Sequence, residues 1–185
     1  MHSLSAVLLA QSGRGEEASA ALLQGERLAV SVQADDVQAV IVHNQANVAL
    51  IRHRYEQALA LADETLVHLD GAMRAPHAGG FVEALPVPSG PRRQNPHMHL
   101  LEAFLALWQV SKEPRYLARA TAMVDLFRSH FFQPKHGVLG EYFDDRLAPS
   151  AGEAGAIVEP GHHYEWIWLL RRYEAATGEQ MGAFV

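Results

Sequence analysis

Two helix starts in this 185-residue chain carry the same unusual content. Arg92-Arg93-Gln94-Asn95-Pro96-His97-Met98-His99-Leu100-Leu101-Glu102-Ala103 and Glu159-Pro160-Gly161-His162-His163-Tyr164-Glu165-Trp166-Ile167-Trp168 each open an apolar helix with proline and place His-x-x-Glu in its first turns. His99 lies 63 residues before His162, and Glu102 lies 63 before Glu165. What precedes each is also alike: a helix with one apolar face, then Gly80-Phe81-Val82-Glu83-Ala84-Leu85 or Gly137-Val138-Leu139-Gly140-Glu141-Tyr142-Phe143. Residues 55–110 and 116–177 therefore read as two copies of one helical hairpin. Such repeats stack into a solenoid or close into a ring. Alternation of half-exposed with fully apolar helices favours the ring, so the expected class is all-α, an (α/α) toroid.

Periodicity places helices at about 16–32, 35–54, 55–73, 96–110, 114–132 and 160–177. Leu59, Ala62, Leu66 and Leu69 mark one face of the third. Asn95 is the expected N-cap of the fourth, with Pro96 in its first position. Met98, Leu101, Leu105 and Trp108, widened by Leu100, Phe104 and Leu107, predict that this helix is buried on more than one side. Pro114 opens the next, with the stripe Leu117, Ala120, Val124, Phe127 and Phe131. Loops fill 74–95 and 133–159, each holding one short strand, at 80–85 and 138–143. The tail after Gly178 is expected to fray. Asp144-Asp145 reads as a solvated turn.

Composition narrows the function. Charged residues make up 19% and hydrophobic residues 49%, an ordinary globular balance. There is no cysteine, which excludes disulfides and thiol nucleophiles and favours a cytoplasmic address. Met1–Gln11 lacks a basic start and a cleavage site, so no secretory leader is expected there. No apolar run is long enough for a membrane span. A net charge of −6 argues against nucleic acid. Neither a phosphate-binding glycine loop nor Gly-x-Ser-x-Gly occurs.

Eleven histidines remain to be explained. Positions i and i+3 share a helix face, so His99 is expected to meet Glu102 and His162 to meet Glu165. A carboxylate beside an imidazole fixes its tautomer, as a proton-shuttling histidine requires. The competing readings are buried histidines satisfied by neighbouring carboxylates, and a metal site drawn from His97, His99, Glu102, His162, His163 and Glu165. The ferritin-like Glu-x-x-His order is reversed here and His-Glu-x-x-His is absent, so no metal is expected. Aromatic residues near these histidines, Trp166 and Tyr164 among them, suit a sugar; Trp108 and Trp168 read as core. Arg92 and Arg93 either hold an anion or hydroxyls, or are solvated.

The two quoted segments resemble the N-acylglucosamine 2-epimerase family, most closely its mannose isomerase and aldose–ketose isomerase-like branch. The resemblance covers 55–178, leaving 1–54 as a weakly matching helical segment and 179–185 as a tail. It implies an (α/α)6 barrel, here an incomplete one of about half the helices. It also implies proton transfer at C2 of an open-chain sugar, mannose–fructose isomerisation foremost, without a cofactor. By motif, Asn95 and His99 match sugar contacts, His162 one of two catalytic histidines, and Glu165 the carboxylate that accompanies it. Arg93, Glu102 and Trp166 complete the candidate substrate-binding set. The family's second catalytic histidine and an early arginine have no counterpart here. The expected partner is a monosaccharide or sugar phosphate, and an open arc of helices would expose apolar edges and self-associate. Two other readings stand beside this one: an inactive or merely sugar-binding remnant, and a helical interaction module, since Asn44–Leu66 looks like a tetratricopeptide hairpin.

Overall fold

In a computed structural model of the chain, residues 15–31, 55–182 and 184 are described. The expected helix at 35–54, and with it about the first half of the tetratricopeptide-like stretch, lie outside them. The chain divides into two units at Met73/Arg74.

The first unit holds α1 (Gly15–Ser31) and α2 (Tyr55–Ala72). Glu16 and Glu17 sit in the first turn of α1, where negative charge complements the helix dipole. On α2, Ala58 and Leu66 are buried and Leu59, Ala62 and Leu69 are half-buried, so the expected stripe is the inward one.

The second unit is built on three helices: α3 (Asn95–Ser111), α4 (Pro114–Leu126) and α5 (Pro160–Thr177). α3 packs against both of the others. Lys112, in the left-handed region at φ 58°, ends α3 by donating its N–H to the Trp108 carbonyl, and Pro114 restarts the chain as α4 after one more residue. The buried face of α3 is Met98, Leu101, Phe104 and Leu105, while Leu100, Leu107 and Trp108 are only half-buried. α4 keeps the expected single stripe and passes into a π-helical turn, Phe127–Phe131, that buries both end residues. Phe127 stacks on Trp166 of α5 at 4.6 Å between centroids, and Phe131 packs against His97, Phe143 and Trp166.

α5 departs from the expectation of full burial. Trp166, Leu169, Leu170 and Tyr173 face inward, whereas Tyr164, Ile167 and Trp168 are exposed. Trp168 is therefore not core; it lies two positions from Trp166, on the opposite side of the helix, with Arg172 over its ring. The tail is not frayed in its described residues. Gly178 caps α5 in the left-handed region (φ 79°), Met181 is fully buried, and Phe184 packs edge-on against Phe127 and Phe132.

The expected strands shrink to fragments. Stretch 80–85 contributes only the bridge Arg74↔Phe81. Stretch 138–143 divides into β3 (Val138–Leu139), paired with β2 (Phe132–Gln133), and β4 (Tyr142–Phe143), paired with β1 (Arg92–Arg93). The chain changes partner at Gly140-Glu141. Gly140 donates to the Phe131 carbonyl, whereas the Glu141 carbonyl accepts from Gln94. A side chain at 140 would meet Gln133 Nε2 at 2.7 Å and the Phe143 ring at 3.0 Å, so a larger residue would require Gln133 to swing away and the buried ring to yield.

Two histidines lock the helix starts to these loops in the same way. His97 Nδ1 faces the Arg93 carbonyl at 3.2 Å, and its Nε2 receives the Phe81 N–H at 3.1 Å. His163 Nδ1 faces the Glu159 carbonyl at 3.1 Å, and its Nε2 receives the Leu139 N–H at 2.9 Å. Both rings are satisfied by the neutral Nδ1–H tautomer. The structural repeat thus pairs His97 with His163, 66 residues apart. The 63-residue spacing of His99 and His162 joins residues in different roles.

His97 is 1% exposed, and burial, aided by nearby Arg92, pushes its pKa down to about 4. The unfolded chain binds this proton near pH 6.5 and the folded chain does not, so stability is complete above pH 6.5 and is lost as pH falls toward 4. The loss attributable to this ring is on the order of 3 kcal/mol. Urea midpoints measured between pH 7 and pH 4.5 should fall steeply in the wild type and less steeply in His97→Gln; parallel slopes would remove His97 as a cause.

Candidate active site

The switch of partner at Glu141 creates the site. The β1–β4 register places Arg92 opposite Phe143 and Arg93 opposite Tyr142. One step further, Gln94 stands opposite Glu141, joined by the Gln94 N–H to the Glu141 carbonyl. Both side chains are buried, and α5 delivers His162 to the same point.

His162 lies between a carboxylate and an amide. Its Nδ1 is 2.9 Å from Glu141 Oε2, and Asn95 Nδ2 is 3.0 Å from its Nε2. A buried carboxylate oxygen can only accept, so Nδ1 carries the proton; Nε2 then offers a lone pair, to which Asn95 donates. Gln94 Nε2 also donates to Glu141 Oε2, at 3.0 Å, and lies 3.0 Å from His162 Nδ1, while Gln94 Oε1 accepts the Trp166 indole N–H at 2.6 Å. The His162 side chain is 26% exposed and that of Glu141 5%, so the imidazole is held from the protein side and open on the other.

The candidate residues fall into three groups. His162 and Asn95 meet directly. His99 and Glu102 are placed on one face as expected, with Nδ1 to Oε2 at 3.4 Å, and both are substantially exposed. Asn95, His99 and Glu102 recur at i, i+4 and i+7, one stripe running from His162 along α3. The remaining candidates are placed otherwise than expected. Glu165 is exposed, and the carboxylate on the His162 ring is that of Glu141. Trp166 is 1% exposed; its indole serves Gln94 and its ring serves the core, so it presents no surface to a ligand. Arg93 is engaged by Glu83, through Nε at 2.7 Å and its backbone N–H at 2.7 Å, and this pairing raises its pKa. Asn95 is the first residue of α3 rather than its N-cap; Gln94 takes that place, and the Asn95 amide is committed to His162.

Arg92 is neither an anion holder nor solvated. Its guanidinium donates to the carbonyls of His77, Gly79 and Asp145, and partial burial lowers its pKa. It ties the loop before β1 to the turn after β4. Asp144 and Asp145 are exposed as expected, and Asp144 Oδ1 accepts the N–H groups of Arg146 and Ala148. Among the described residues no three His, Asp or Glu side chains are placed to share a metal ion.

Sequence reasoning missed Gln94 and Glu141. One signal was available: both loop copies place glutamate after a glycine-led strand, at Glu83 and Glu141, and each binds at the start of the helix that follows a loop.

The geometry can be set beside known proteins. The family model for N-acylglucosamine 2-epimerase (GlcNAc 2-epimerase) matches residues 22–183. The mannose-6-phosphate isomerase of Rhizobium meliloti (strain 1021) is 37% identical over 131 residues, 70% of this chain and 33% of that protein. The cellobiose 2-epimerase of Spirochaeta thermophila DSM 6192 superposes with a TM-score of 0.62 at 29% identity, covering 77% of this chain and 38% of that one. The cellobiose 2-epimerase of Bacillus thermoamylovorans B4167, at 19% identity and a TM-score of 0.61 over 80% of this chain and 40% of that one, supports the fold alone. The chain spans between a third and two-fifths of the length of these relatives. Its fold is all-α, part of a toroid of the (α/α)6-barrel type. Among the described residues no helix is long and apolar enough to cross a membrane. By the match over residues 22–183, the chain belongs to the N-acylglucosamine 2-epimerase family, whose members are sugar epimerases and isomerases.

Proposed function

We propose that His162 is the base of a sugar isomerase or 2-epimerase site acting at C2 of an open-chain aldose. The observation that carries this reading is the polarised imidazole: Nδ1 on the buried Glu141 carboxylate, Nε2 turned outward against an amide that substrate can displace. Nε2 takes the C2 proton, and the electron pair moves toward the C1 carbonyl to give an enediol(ate). Return of the proton at C1, with the O2 hydroxyl proton passing to O1, yields the ketose; return to the opposite face of C2 yields the epimer. Developing positive charge on the ring is balanced by Glu141, while Asn95, His99 and Glu102 offer hydrogen bonds to sugar hydroxyls. Glu165, by its motif, is the remaining carboxylate of this helix face. No cofactor is required. The substrate class is a monosaccharide or its phosphate, with mannose–fructose isomerisation favoured by the likeness to a protein named mannose-6-phosphate isomerase.

A second reading, a site that binds sugar without turnover, is supported by the histidines. His97 and His163 have both ring nitrogens spent on backbone groups, leaving His162 as the imidazole set on a buried carboxylate. A site with one such imidazole can bind sugar without completing a turnover. Proton exchange separates the two readings, because it needs only one base. With mannose or glucose in D2O the C2 proton signal, and with fructose a C1 proton signal, should decay in the presence of the wild-type chain. In His162→Ala that decay should slow by about a hundredfold or more, with the thermal transition retained. Equal rates in the two proteins would exclude His162, and saturable binding without exchange would favour the second reading.

The exposed Tyr164, Ile167 and Trp168 on α5, beside Ile157 and Val158, also support association between copies of the chain. Light scattering should show species larger than 20.4 kDa; a monodisperse monomer at high concentration would contradict this.

A further inference from the structure

We infer that Gln94 is the positioning residue of this site: anchored by the Trp166 indole, it fixes the Glu141 carboxylate on His162 Nδ1 and thereby keeps the Nε2 lone pair outward. The kinetic consequence rests on the proton-transfer reading above, but the geometry stands without it. Gln94 is fully buried, and its backbone is held on both sides, by the Glu141 carbonyl accepting its N–H and by His97 and Met98 donating to its carbonyl. An indole N–H is a donor only, so at 2.6 Å it must meet the amide oxygen of Gln94. That fixes which end of the amide points at Glu141: the NH2 end, 3.0 Å from Oε2. His162 Nδ1 reaches the same oxygen at 2.9 Å and stands 3.0 Å from Gln94 Nε2, so with Nδ1 protonated the two N–H groups converge on Oε2 rather than bond each other. Glu141 Oε1 has no hydrogen-bond partner among the described residues, so the carboxylate is placed by the two donors on Oε2.

Removing Gln94 would leave that carboxylate held by the imidazole alone, and would strand the Trp166 N–H. The Nδ1–H tautomer then rests on a less firmly placed carboxylate and on the Asn95 donor at Nε2. Free imidazole in histidine favours the Nε2–H form in water, the wrong form for a base that must accept at Nε2. Glu165 does not substitute, being exposed on the same helix as His162.

The test is long-range 15N NMR of the histidine rings in the labelled full chain at about pH 8, where imidazole is neutral. His162→Gln identifies the His162 signals. The wild type should show His162 as Nδ1–H. In Gln94→Leu the Nε2–H form should gain, and in Glu141→Leu it should become the larger, while the His97 and His163 patterns, set by backbone groups, stay Nδ1–H and report an intact fold. kcat for C2 exchange should fall about tenfold to a hundredfold in Gln94→Leu, with KM nearly unchanged. A Gln94→Leu protein whose His162 remains wholly Nδ1–H would overturn the inference. Should that variant not fold, Trp166→Phe keeps an aromatic ring on Phe127 and deletes the N–H together with the rest of the five-membered ring; a shift toward Nε2–H supports the inference and an unchanged pattern overturns it. If the wild type exchanges no sugar proton at all, the sugar reading falls, while the tautomer comparison still decides the role of Gln94.

Discussion

The pairing of Gln94 with Glu141, 47 residues apart, is the constraint on which the second unit depends. It extends the β1–β4 ladder by one step, and that step carries the chain from sheet into the first turn of α3. Its side chains are buried, where an unmet donor or acceptor costs about 1–3 kcal/mol. The Trp166 N–H, the Gln94 amide, the Glu141 carboxylate and the His162 ring satisfy one another in sequence, so loss of any one leaves another stranded. Such a network is specific because it is nearly all-or-none. It sets the distance between the starts of α3 and α5 through side-chain geometry rather than through apolar packing alone.

Three histidines near this junction show how identical side chains take different work. His97 and His163 each place both ring nitrogens on backbone groups, one to a carbonyl and one from an N–H. They brace loops, and protonation would break each brace by removing an acceptor. His162 has one nitrogen on a fixed buried carboxylate and the other on the amide of a half-buried asparagine. Only this last arrangement leaves a lone pair that a ligand can reach. Position on a helix start does not separate a strut from a base; the partners of the second nitrogen do.

Much of this was legible in the sequence. Proline marked the openings of α3, α4 and α5, and apolar spacing gave the inward stripes of α2 and α4, because periodicity and backbone restriction are local properties. What failed depended on distant partners. His162 was paired with Glu165 because both lie on one helix, whereas burial brought Glu141 from a loop. Trp168 was assigned to the core because an apolar run in α5 does not reveal which side faces a neighbour. The tail after Gly178 was expected to fray, yet Met181 is buried, its N–H accepted by Glu174, and Arg128 pairs with Glu179. The expected strand at 138–143 ran straight through Gly140, where the chain instead changes partner beside Gln133 and Phe143, which no spacing rule conveys.

The exposure of His99, Glu102 and Glu165 bears on the proposed site in a direction opposite to its bearing on stability. In a packed core, exposed polar residues on a helix are solvated and unremarked. Here they flank a half-open imidazole, and on α3 they continue a line that begins at Asn95. The opposite face of α3 is apolar and buried at Met98, Leu101 and Leu105. A helix so divided gains nothing for its own folding from histidine and glutamate on the outer stripe, since a 3.4 Å contact between half-exposed groups contributes about 0–1 kcal/mol. A polyhydroxylated ligand, which must exchange water for several hydrogen bonds at once, gives that stripe a purpose that packing does not.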